Sequence, residues 1–343
     1  MLSSTSSSNE RLPRLPWLKT WGLCLLLFVL TTGAYELFWR ARGFRPSAND
    51  SVNLWARVLH QVPNQDPAAT VALGTSRIRL GFDTRTYERE FNGRAPSQLA
   101  VAGSLCFPVF KHLVEETDFN GVVLYDVIPG AFCGTPRLGL LDEQQRFLEQ
   151  TRHLPAVNDL DVWLASFIDL ALVCRRSDLT LKALGVFCAE QKRLPKFNKW
   201  VHFDRQQLLD FSDPNSSLQE SNPGDKPRQF EPEVFESRVT HMQQLVNRFR
   251  QRGGEVFLVR MPSSGTKLER EEVEFPRARE WDELVRRLDT PAFHFLDDPR
   301  TAALKVPDGG HLDFRDAPLF TSVLIEKMRL FPELEKRTRL TSR

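Results

Sequence analysis

The sequence predicts an α/β protein: a doubly wound, mainly five-stranded parallel sheet with a mostly helical insertion, preceded by one N-terminal transmembrane helix. Three observations lead there. Five short apolar runs are nearly continuous rather than alternating, as in strands covered on both faces. Apolar residues at helix spacing lie between several of them, the rhythm of a doubly wound sheet. One much longer apolar run stands near the start of the chain.

Composition narrows the class. The chain has 343 residues, room for two average domains or one large α/β domain with insertions. Apolar residues at 41% and charged residues at 26% are the mix of a folded protein. Lys and Arg number 46 against 44 Asp and Glu, interleaved and without a basic stripe, which argues against nucleic acid as a partner. A single apolar span excludes a polytopic channel or transporter. The five cysteines form no C-x-x-C pair, which argues against a zinc ribbon or a thioredoxin-type site.

In chain order, residues 1–16 are Ser-rich, with Pro13 and Pro16, and read as a disordered tail. Residues 17–39 read as a transmembrane signal anchor, long enough as a helix to cross roughly 30 Å of hydrocarbon. Trp17, Trp21, Tyr35 and Trp39 sit toward its ends, where amphipathic rings favour the interface. Thr32-Gly33-Ala34 also resembles a cleavage site, so a removable signal peptide is the alternative. Basic residues flank the run equally: Arg11, Arg14 and Lys19 before it, Arg40, Arg42 and Arg45 after it. Cys106, Cys133, Cys174 and Cys188 have three possible disulfide connectivities in an oxidising compartment.

Residues 40–67 read as a membrane-proximal linker or helix, and 68–335 as the folded domain. Its strands are expected at Thr70–Leu73, Gln98–Ala102, Val122–Ile128, Glu255–Arg260 and Phe293–Leu296. Phe235, Val239, Met242, Leu245, Val246 and Phe249 mark a helix that Gly253-Gly254 ends. Trp281–Leu288 and Leu319–Met328 mark two more. Residues 131–232 break the rhythm, being far too long for a simple crossover, and read as an insertion with a helix at Leu160–Leu172 and a polar run from Ser212 to Pro232.

Chemistry in an open α/β sheet gathers at the carboxyl ends of the strands. The first strand runs into Gly74-Thr75-Ser76-Arg77, a bend that presents a hydroxyl near a helix start; the plain reading is that Ser76 caps that helix. The second ends at Gly103-Ser104, where a glycine N–H can approach an oxyanion. Near the C-terminus, Asp308-Gly309-Gly310-His311 puts a carboxylate three residues before an imidazole, in reach of its Nδ1–H, or else forms a surface turn. Arg77 and Arg260 lie on the same edge of the sheet and are candidate substrate-binding cations. The remaining histidines show no metal-ligand spacing. No Walker loop or dinucleotide fingerprint is present, so no metal or cofactor is expected.

The ordered set G-T-S-R, A-V-A-G-S and D-G-G-H-L resembles the SGNH hydrolase superfamily, the GDSL-like esterases and acyltransferases, and most of all its membrane-anchored bacterial branch. The resemblance covers roughly residues 68–335 in block order, with no counterpart for 131–232. It implies a flavodoxin-like sheet with Ser76 as nucleophile, His311 as base and Asp308 as its orienting carboxylate. It further implies the N–H groups of Ser76 and Gly103 as two arms of an oxyanion hole. One block departs from the family: its third strand ends with an Asn donor, whereas here the strand carries Asp126 and no Asn. A membrane-anchored, extracytoplasmic esterase or O-acyltransferase is then expected, with O-acetyl groups of an envelope polysaccharide as one candidate substrate. The alternative is a degenerate relative that binds glycan or serves assembly.

Overall fold

The computed structural model describes residues 17–134, 142–154, 158–189, 199–212 and 229–338. The expected tail 1–16 and most of the polar run 212–232 lie outside the described residues. Among the described residues seven strands are formed: β1 Thr70–Leu73, β2 Ser97–Gln98, β3 Val122–Asp126, β4 Lys199–Val201, β5 Gln207–Leu209, β6 Glu255–Arg260 and β7 Ala292–His294. Five make one sheet in the order β2-β1-β3-β6-β7, with every neighbouring pair parallel. The order reverses between β1 and β3, the switch point where ligands of doubly wound sheets bind.

Both faces of this sheet are covered, which explains its continuous apolar runs. Val71, Leu73, Val123, Tyr125, Val256 and Leu258 join one hydrophobic cluster. Ala72, Val122, Leu124, Phe257 and Val259 face the other. Helices Val52–His60, Phe107–Glu115, Pro232–Gln251 and Trp281–Leu288 close the first face. Helices Ser76–Gly81 and Ala317–Met328 help close the second. Helix Val52–His60 falls in the segment expected to be a membrane-proximal linker or helix; Trp55 is completely buried and its indole N–H donates to Leu99 O at 2.9 Å. That helix belongs to the core.

Strands β1 and β6 match the expected limits, while three others are shorter. After Gln98 the chain still bonds to β1, through Leu99 N–H to Ala72 O and Val101 N–H to Gly74 O, but then turns. Strand β7 ends early because His294 Nδ1 accepts the N–H of Leu296, starting a tight turn. Within the insertion, helices Asp142–Thr151, Asn158–Ala171 and Leu181–Ala189 accompany an unexpected antiparallel hairpin, β4 with β5. All five cysteines are free thiols.

Among the described residues one helix, Trp17–Ala41, is long and apolar enough to cross a membrane, and the other described residues leave its apolar stretch uncovered. Its last turns enter the fold. Trp39 and Phe44 pack with Val173 and Leu179 of the insertion. Glu36 accepts the N–H groups of Val173 and Cys174 at 2.9 and 2.8 Å, and Arg40 donates to Ala171 O at 2.9 Å.

Candidate active site

Strand β1 leads directly into the turn Gly74-Thr75-Ser76. Gly74 has φ +156°, and a Cβ there would lie 2.4 Å from Asp126 Cβ and 2.7 Å from Ile78 Cγ2, so the position admits only glycine. Thr75 is extended, and its hydroxyl oxygen accepts the Arg77 N–H at 3.3 Å. The capping role expected of Ser76 on the plain reading therefore falls to Thr75. The Ser76 hydroxyl is left for another partner.

That partner is His311, 235 positions away in the chain: Nε2 stands 2.8 Å from Ser76 Oγ. On the other side of the ring, Nδ1 stands 2.6 Å from Asp308 Oδ2. The Gly310 and His311 N–H groups donate to Asp308 Oδ1 at 2.9 and 2.8 Å, which locks the carboxylate in place. Burial pushes the Asp308 carboxyl up, but the imidazole and these N–H groups outweigh it and hold it below its ordinary value. An ionised Asp308 at Nδ1 selects the tautomer whose Nε2 accepts the serine proton. Ser76 and His311 are both partly exposed, so the relay is open to a substrate.

The Ser76 N–H opens helix Ser76–Gly81, and Gly103 sits exposed in a turn with φ +71°. Neither N–H has a hydrogen-bond partner among the described residues. The bond from Val101 N–H to Gly74 O, 3.1 Å, keeps the second block beside the serine turn. Gln144, buried on insertion helix Asp142–Thr151, also reaches that carbonyl, with Nε2 at 3.4 Å.

Asp126 ends β3 beside the same turn. Its Oδ2 accepts from both the N–H and the hydroxyl of Thr75, each at 3.4 Å, while Oδ1 is buried without a partner. Burial raises its carboxyl above the ordinary value, against the pull of Arg77 and Arg260. The residue in the third-block position thus braces the serine turn from behind.

Arg77 and Arg260 are brought together, but in a buried ion-pair cluster rather than on an open wall. Glu271, from helix Gly265–Glu274, pairs with Arg77 through one oxygen and with Arg260 at 2.6 Å through the other. Burial would raise Glu271, yet the two guanidinium groups pull it down to about 2. Lys267 lies one turn earlier on that helix, its Nζ filling the space a Cβ on Gly310 would take. Burial, with help from Arg77 and Arg260, pushes its ammonium down to about 8. Nothing in the sequence singled out Glu271 or Lys267, because a buried acid and a half-buried lysine in a run as charged as Lys267–Glu274 look like a solvated helix face.

Thr75 and Asp126 also wall a cavity of about 170 Å³, otherwise lined mainly by apolar side chains such as Leu105, Phe107, Ile128 and Phe132. Among the described residues no cluster of His, Cys, Asp and Glu has the arrangement of a metal site. No family model, curated protein or solved structure matches this chain.

Proposed function

We propose that this protein is a membrane-anchored serine hydrolase or O-acyltransferase of the SGNH type, with its folded domain on the extracytoplasmic side of the membrane. The observation that carries the reading is the Asp308–His311–Ser76 relay at the carboxyl edge of a parallel sheet, assembled from two ends of the chain. A surface turn with a stray histidine would have no reason to meet a serine released from its capping duty.

The chemistry follows from the geometry. Ser76 Oγ attacks the acyl carbon while His311 Nε2 takes its proton. The oxyanion accepts from the Ser76 and Gly103 N–H groups. Collapse breaks the ester C–O bond, and His311 returns the proton to the departing alcohol. Water or a sugar hydroxyl then takes the acyl group from Ser76 by the same steps reversed. O-acetylated envelope polysaccharide is a substrate class that suits a membrane-anchored, extracytoplasmic domain. The reading of a degenerate glycan-binding relative draws on Asp126, which supplies no third oxyanion donor.

A fluorophosphonate probe on the purified full chain separates the two. A covalent adduct on Ser76, absent in Ser76→Ala and His311→Ala, is the expected result. Glycan binding without labelling or turnover of any small acyl ester would replace the enzyme with a binding module.

A further inference from the structure

Helix Asn158–Ala171 is turned inside out. Its inward positions, spaced four and three apart, are Val162, Ser166 and Asp169, two of them polar. Its outward face carries Leu160, Trp163, Leu164, Phe167, Ile168 and Leu170, with Phe167 67% exposed. Of its charged side chains, Asp161 is exposed, Asp159 is partly exposed beside His60, and Asp169 is buried. A surface helix in water shows the opposite pattern. The next helix, Leu181–Ala189, continues the anomaly: Leu181 is 83% exposed and Val186 is also uncovered. Patches of this kind mark a contact with something apolar.

The position of the patch indicates what covers it. Ala171, Val173 and Cys174, at the end of the first helix, hold Arg40 and Glu36 of the apolar helix Trp17–Ala41. Tyr35 hydroxyl donates to Leu179 O, just before the second helix. The uncovered face is therefore continuous with the point where the span leaves the fold. We infer that helices Asn158–Ala171 and Leu181–Ala189 form a second membrane contact, lying in the bilayer interface beside the span. Lipid acyl chains cover Leu164, Phe167 and Ile168, and Trp163 sits at the level of the headgroups. The inward face packs on the domain through Val162, which meets Leu54 and Val201, while buried Asp169 pairs with Arg175 in the turn that follows the helix at 3.0 Å. The domain is thereby held against the membrane at a fixed tilt rather than swinging on a tether. This rests on the reading of Trp17–Ala41 as a retained span.

The test places a benzoylphenylalanine photoprobe singly at Leu26, Phe167 or Leu164 of the full chain, reconstituted in nanodiscs of phosphatidylethanolamine and phosphatidylglycerol. Irradiation is followed by intact-mass analysis. Phospholipid adducts at all three positions are expected. Adducts at Leu26 without adducts at Phe167 and Leu164 overturn the second contact and leave the anchor standing. No adducts at any position overturn both. A crosslink from Phe167 to a second copy of the chain, in place of lipid, makes the face a dimer interface and also overturns the proposal.

Discussion

Asp126 stands where the resembled family places an oxyanion donor, yet its Oδ2 is committed as an acceptor for the Thr75 N–H and hydroxyl. Asn at this position keeps a carbonyl oxygen for the same two donors. Asp126→Asn is therefore expected to keep kcat/KM within about threefold, a barrier change under about 0.7 kcal/mol. Its pH–rate profile should superimpose on that of the wild type. A high-pH limb in the wild type that Asn abolishes would instead make a neutral Asp126 the missing donor. Stability should change with a definite sign. A carboxyl raised by folding is favoured while protonated and loses that advantage as pH rises through its folded pKa. The Asn variant should then melt higher than wild type near neutrality, the gap closing as pH falls. Lys267 titrates in the opposite sense. Its ammonium is held at about 8 in the fold but near 10.4 in an unfolded chain, so between those values only the unfolded chain keeps the proton. Stability should rise with pH across that window in wild type relative to Lys267→Met, as read from urea midpoints at pH 7, 8, 9 and 10. A constant difference between the two proteins would show that Lys267 is not desolvated. At this scale Ser76, Asp308 and His311 were legible, since G-x-S and D-x-x-H spacings announce themselves. The brace and the ion-pair cluster were not, because Asp126 lies inside an apolar run and Glu271 in a charged one.

Among the elements, strands buried on both faces were the most readable, and β1 and β6 have the limits their apolar runs predict. The hairpin of β4 and β5 was illegible: each strand has only three residues, too few to show an alternating pattern. Arg205, buried between the two strands, explains the hairpin's place in the fold. Arg205 is wholly buried at φ +68°, in the left-handed region that most residues avoid. Its guanidinium donates to Asp50 at 2.9 Å, to Gln98 O at 2.7 Å and to Ala100 O at 3.3 Å. The insertion thus seals the open edge beyond β2 and ties it to the segment that follows the span. Arg205→Met leaves two carbonyls with an apolar neighbour, while Asp50 keeps its pair with Arg79 at 2.6 Å. A buried carbonyl left without a donor costs about 1–3 kcal/mol, and a fall of at least that size in the free energy of urea unfolding is expected. Arg205→Lys keeps the charge but cannot serve three acceptors in a plane, so it should fall between the two. An Arg205→Met protein as stable as wild type would mean that the hairpin contributes nothing to the sheet.

For the whole molecule, the span and the domain form one continuous body, which bears on orientation. Basic residues balance across the span in number, three before and three after, so counting alone selects neither topology. The three that follow it have duties in the fold. Arg40 bonds to Glu36 and Ala171, Arg42 stacks over the Phe38 ring at 4.3 Å, and Arg45 lies over Trp200 at 5.2 Å. Their presence has a structural cause independent of topology, whereas Arg11 and Arg14 precede an apolar run as a retention signal would. Long domains cross with little regard to charge, so in the topology we propose the short basic tail stays in the cytoplasm and the domain is exported. A phosphatase fused after Arg343 should be active. Green fluorescent protein at the same point should be dark, since it does not mature after export in unfolded form. Substituting Arg40, Arg42 and Arg45 together by Gln should lower domain stability while leaving the fusion pattern unchanged. Loss of Arg11, Arg14 and Lys19 should weaken or mix that pattern. A fluorescent, phosphatase-inactive wild-type fusion would put the Ser76 relay in the cytoplasm and remove envelope polysaccharide from its possible substrates.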